Sequence, residues 1–156
     1  MRFVHIVEIN DPRHPLLEPL SREQLWRGLL RRVEQPMEFL PQLNGCSIVM
    51  RGDRTLVREL DFGAFTVRDR VLLEPMEKMS IVIKATPQVP EGKLIIAIET
   101  HSADHLQLRF TYDIQRKRSD DIEMEEQYDR VLQSAYVQAD IDSVKIIRSL
   151  VDRRVL

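Results

Sequence analysis

Two charged residues stand where the surrounding pattern calls for apolar ones. In TLVRELDF the alternating row Leu56, Arg58, Leu60, Phe62 includes an arginine, and in FTVRDRVLLEP the row Phe65, Val67, Asp69, Val71, Leu73 includes an aspartate. Side chains at i, i+2 and i+4 of a strand share a face, so both charges are expected to point with the apolar set. A buried charge is tolerated chiefly when paired, which makes Arg58 and Asp69 candidate partners. The pair has two readings. The arginine fork can bind a carboxylate or phenolate on an otherwise apolar ligand, or the two residues form a structural ion pair that closes a wet cavity.

Other side chains could join that chemistry. His5 sits in the odd row Phe3, His5, Val7, Ile9, although Val4 and Ile6 compete for the buried face. Its imidazole titrates near neutrality and could act as acid or base, or be structural. Tyr112, Tyr128 and Tyr136 could turn hydroxyls toward a ligand, or pack with the hydroxyl at a rim. His101 and His105, with Glu99 and Asp104, flank a turn and lack the fixed ligand set that zinc needs, so no metal and no cofactor is expected. Cys46 opens a strand after a glycine and reads as a small buried hydrophobe, not a nucleophile. No nucleophile elbow, phosphate-cradling loop or dinucleotide fingerprint is present.

The elements that must position these residues follow from periodicity. Residues 2–9, RFVHIVEI, read as a strand, and three prolines in 10–19 impose a loop. Ser21 and Gln24 form the sequence of a capping box, with Leu20 and Leu25 at the staple positions. Leu25, Trp26, Leu29, Leu30 and Val33 make an apolar helix face, with Arg22, Arg27, Arg31 and Arg32 mostly outside. A second short helix, PMEFL, follows. From Cys46 to about Lys117 the period is two, and six runs separated by short turns predict an antiparallel meander. The last forty residues are helical, capped by Ser119 or Asp120, with acidic first turns and a stripe through Tyr128, Leu132, Tyr136 and Val144. Asp140-Ile-Asp interrupts that stripe, and a bend or change of face is expected there. Thirty helical residues span about 45 Å, enough to cross a curved sheet. The fold class is α+β: a seven-stranded antiparallel sheet wrapped around a long C-terminal helix, with two short helices after the first strand, in a single domain over 1–156.

Composition narrows the partners. With 23 Lys+Arg against 25 Asp+Glu the formal net charge is −2, and Arg116-Lys117-Arg118 is followed at once by acids, so nucleic acid is not an expected partner. No apolar run is long enough for membrane insertion, acids interrupt MRFVHIVEINDP where a leader would be apolar, and the lone cysteine fits a reducing cytoplasm. An exposed edge at strand 2–9 or 46–52 could pair two chains as a homodimer.

The words VEIND (7–11), LSREQLWRGLLRRVEQP (20–36), FLPQLNGC (39–46), RELDFG (58–63), VRDRVLLEP (67–75), LRFTYD (108–113) and YDRVLQSAYVQADIDSVKIIRSL (128–150) cover nearly the whole chain. Together they resemble the AtaL-like family of the SRPBCC superfamily, which includes START lipid-transfer domains and polyketide cyclases. The resemblance implies a helix-grip fold enclosing a cavity for an apolar ligand. The expected function is binding of a hydrophobic or aromatic small molecule, with Arg58, Asp69, His5, Tyr112, Tyr128 and Tyr136 as ligand-binding candidates. The alternative is a cyclase- or aromatase-like enzyme in which such residues transfer protons.

Overall fold

The capping box forms as the residue types dictate. In the computed structural model, which describes residues 1–156, Gln24 N donates to Ser21 Oγ and Ser21 N donates to the Gln24 side chain. This starts helix α1 (Arg22–Glu34), and Leu20 and Leu25 are buried around it. A single 3-10 turn, Pro36–Glu38, stands where the second short helix is expected.

The strands are β1 (Arg2–Asn10), β2 (Gly45–Arg51), β3 (Thr55–Asp61), β4 (Thr66–Glu74), β5 (Lys78–Ile83), β6 (Glu91–Ser102) and β7 (His105–Gln115). They form one seven-stranded antiparallel sheet in the order β1-β7-β6-β5-β4-β3-β2. The meander therefore runs unbroken from β2 to β7, and β1 returns to pair with the last strand. This leaves β1 and β2 as the two edges.

Strand phases settle which face is inner. In β7, Leu106, Leu108, Phe110, Tyr112 and Ile114 are all buried, and in β1 the odd row wins, with Val4 and Ile6 left exposed. These inner rows, α1 and the second half of the last helix make the main hydrophobic core, centred on Phe110, Ile96, Met79, Leu29 and Ile147, with Leu43, Leu60 and Val67 in a smaller separate cluster.

That last helix, α2, runs without a break from Ile122 to Asp152. Its cap is Asp121, whose carboxylate accepts from Met124 N, one residue beyond the two expected caps. Nor does Asp140-Ile-Asp end or divide it. Asp140 lies four residues after Tyr136 and seven before Ile147, in phase with the inward stripe, so the helix need not turn to bury it.

Candidate functional site

Arg58 and Asp69 face each other directly across β3 and β4. The pairing is bidentate: Nε donates to Oδ1 at 2.9 Å and Nη2 to Oδ2 at 2.6 Å. Both residues are buried. The third nitrogen, Nη1, donates to the Val33 carbonyl at 2.9 Å. Val33 lies in the last turn of α1, where carbonyls lack intrahelical partners and the helix end is electronegative. Arg58 thus joins the sheet to the end of α1, and the edge of its fork that could grip a ligand carboxylate is occupied by Asp69.

A second polar group forms where β1, β7 and α2 meet. The Tyr112 hydroxyl donates to Asp140 Oδ1 at 2.5 Å, and His5 Nδ1 lies 3.1 Å from Asp140 Oδ2. One helical turn away, Tyr136 stacks on Tyr112 with ring centres 4.2 Å apart. Burial holds the Asp140 carboxyl above its ordinary value, against the opposing hydrogen bonds from Tyr112 and His5. The Tyr112 hydroxyl is pushed far up by burial and by the neighbouring Asp140 charge. Burial also raises Tyr136.

Arg32 completes the arrangement, contrary to the expectation that it lies outside with the other arginines of α1. It follows Leu25 by seven residues and Gly28 by four, which puts it on the buried side. Its Nε donates to Ser143 Oγ at 3.3 Å. Burial lowers its guanidinium from the ordinary value, with Tyr112 and Asp140 opposing that shift.

Arg32, Arg58, Asp69, Tyr112 and Tyr136 border a pocket of about 430 Å³ between the sheet and the first half of α2. Its other walls are mostly apolar: Leu60 and Phe62 from β3 and the turn after it, Val67 from β4, Ile81 and Ile83 from β5, Leu94 from β6, and Leu132, Ala135 and Ala139 from α2. The volume falls in the range of small-molecule sites, whose walls are typically apolar with a few polar groups. A larger depression of about 730 Å³ lies over Val57, Arg68, Arg70, Val82 and Lys84. Arg68 and Arg70 are solvated there, without a hydrogen-bonded polar cluster comparable to that around Asp140.

Tyr128 does not join these residues. It is exposed, and Arg116 lies over its ring at 4.2 Å. Arg116 also pairs with Glu125 and Asp129, and Arg118 with Asp129, so the basic corner clasps the start of α2. The His101 and His105 rings are 4.9 Å apart, but His105 Nε2 is engaged by Glu8 at 2.6 Å. No group of three or more His, Cys, Asp or Glu side chains is gathered for a metal ion. The Cys46 thiol is half-buried and burial pushes it up, which disfavours the thiolate. No helix is long and apolar enough to cross a membrane.

Asp140 and Arg32 are the two residues that row-by-row reading of strands missed. Both are helical, and both carried a signal in their spacing from buried neighbours.

A family model described as acetylaranotin biosynthesis cluster protein L, AtaL, matches residues 7–154. The chain belongs to the AtaL family. Solved structures place this AtaL-family chain in the helix-grip fold. It resembles the Zhui aromatase/cyclase from Streptomyces sp. R1128 at 20% identity, over 100% of this chain and 96% of that one, with a TM-score of 0.68. The di-domain ARO/CYC StfQ from the steffimycin biosynthetic pathway is 12% identical, with 99% of this chain and 52% of that one covered and a TM-score of 0.72. TTHA0849 from Thermus thermophilus is 8% identical over 96% of this chain and 98% of that one, at a TM-score of 0.69. At these identities the likeness shows the fold alone. A search of curated proteins gives no significant match.

Proposed function

We propose that this AtaL-family protein binds a hydrophobic or aromatic small molecule between the sheet and the first half of α2. The observation that carries this reading is the pocket of about 430 Å³, apolar over most of its wall and polar at the end where Arg32 and Tyr112 stand. An apolar guest gains by leaving water, and a few polar groups orient it. Native mass spectrometry of the freshly purified protein tests the reading. The expected result is a bound small molecule, or uptake of added naphthalene derivatives, that is lost in Ala139→Trp, where the new ring fills the space. Equal uptake by the filled variant, or none by either protein, overturns it.

A second reading, a cyclase-like enzyme, is favoured by the contacts of Asp140 with Tyr112 and His5. A substrate C–H next to a carbonyl would break, its electron pair moving onto the carbonyl oxygen as an enolate. The proton would pass to the Tyr112 oxygen while Tyr112 hands its own proton to Asp140. Burial makes the Asp140 carboxylate a stronger base than an exposed aspartate, which suits it to receive that proton. The check is protein-dependent deuterium uptake at the methyl group of 2-acetylnaphthalene in D₂O, followed by NMR. Loss of that uptake in Asp140→Asn with binding retained supports the enzyme. No uptake by the parent protein leaves a carrier.

A further inference from the structure

Among the charged groups at the pocket that are withdrawn from solvent, the hydrogen bonds account for every one except Arg32. Lys93 borders the pocket too but is exposed to solvent. Asp69 gives both oxygens to Arg58, and Arg58 gives all three nitrogens to Asp69 and the Val33 carbonyl. Asp140 gives one oxygen to Tyr112 and the other to His5. Arg32 has a single bond, the long 3.3 Å contact from Nε to Ser143 Oγ. Its Nη1 and Nη2 donate to no protein group, no carboxylate pairs with it, and its side chain borders the pocket.

A guanidinium is a planar fork that matches a carboxylate through two parallel hydrogen bonds. Asp140 and Asp69 act on Arg32 only through their charge, and neither is hydrogen-bonded to it, so the fork has no partner of its own among largely apolar walls. The complement has to come with the guest.

We infer that Arg32 is the anchoring residue of this pocket and that its ligand is an amphiphilic acid, an apolar or aromatic body ending in a carboxylate or comparable anionic oxygen. This rests on the ligand-binding reading above and adds to it the charge and the orientation of the guest. The acidic end lies at Arg32, and the apolar body extends along Leu94, Ile83 and Leu132 toward Phe62. Arg58, which looked like the ligand's fork from its strand position, instead holds the wall behind it.

Calorimetric titration of the full chain with 2-naphthoate and with its neutral isostere 2-naphthamide separates the two claims. In the parent protein 2-naphthoate is expected to bind about tenfold or more tightly than the amide, since a hydrogen bond to a charged group is worth at least that factor. Arg32→Gln is expected to abolish the preference while leaving the affinity for the amide within about twofold, and Arg32→Lys to keep part of it. If the parent binds both compounds equally, or if Arg32→Gln keeps the preference, the anchor is wrong and the pocket reading stands. If neither compound binds, both fall. The comparison within the parent protein decides the question even if Arg32→Gln does not fold, and a variant that loses stability but not preference marks Arg32 as structural.

Discussion

From Asp140 onward α2 buries Ser143, Val144, Ile147 and Leu150 against α1 and the sheet, whereas before Asp140 its only buried residue is Glu125. In the first half Val131 is 71% exposed and Tyr128 52%, while Leu132, Ala135, Tyr136 and Ala139 border the pocket. The approach of the second half is unusually close. A Cβ on Gly28 would lie 2.5 Å from Ile147 Cγ2, so only glycine permits α1 and α2 to meet there. One continuous helix therefore serves two ends. Its second half is a core element, and its first half is a beam held at its start by the Arg116–Glu125–Asp129 cluster with space beneath it. Core packing and pocket lining are thus divided between the two halves of a single element.

The sharpest break of that contrast is truncation on either side of Asp140. Ile147→Ala is expected to cost about 2–5 kcal/mol, because a fully enclosed side chain leaves a cavity. Leu132→Ala, at the pocket wall, is expected to cost below about 1 kcal/mol. Urea unfolding midpoints of the two variants check this, and equal losses would show that both halves are core.

Next in size is Gly28→Ala. The added methyl group collides with Ile147, an overpacking cost of about 1–3 kcal/mol. In the Ile147→Ala background the collision is gone, and the same change is expected to become neutral or stabilising by up to about 1 kcal/mol through helix propensity. A double-mutant cycle reads the change of sign. Simple additivity would mean that the helices do not meet at this point.

The smallest effect concerns the boundary between the halves. Because burial raises the Asp140 carboxyl above its ordinary 3.8, the native state holds that proton more tightly than the unfolded chain. Its contribution to stability is full below 3.8 and is lost as pH rises through the raised native value. Asp140→Asn cannot ionise, so it is expected to gain stability relative to the parent as pH rises from about 4 to about 7. Unfolding midpoints across that interval check the trend, and a constant difference between the proteins would contradict it.

Much of the candidate site's geometry was legible in the strands. Period two placed Arg58 and Asp69 inward, and the short turn between their strands made them neighbours, because a tight connection forces antiparallel pairing. The apolar row of β7 likewise put Tyr112 inside, whereas in β1 the competing Val4 and Ile6 left the phase of His5 to the structure. The helical contributions were harder to read. Arg32 belongs to a run of arginines, and a charge on a helix reads as solvated until the neighbouring face is known to be buried. Asp140 looked like a break in an apolar stripe, since nothing local announces that Tyr112 and His5, 28 and 135 residues away, are there to receive it. Tyr128 shares the stripe of Tyr136, yet the helix has not reached the sheet at that turn, and Arg116 covers its ring instead.

The sequence by itself determined the elements, their order, the inward phase of β3 to β7 and the cap of α1, because each follows from spacing along a few consecutive residues. Tertiary structure decided the rest. It closed Asp69 onto Arg58 and left Arg32 without a carboxylate partner, it chose which half of α2 touches the core, and it left a pocket between the other half and the sheet. Those outcomes depend on distances between segments far apart in the chain, where packing, not periodicity, sets which charge finds a partner.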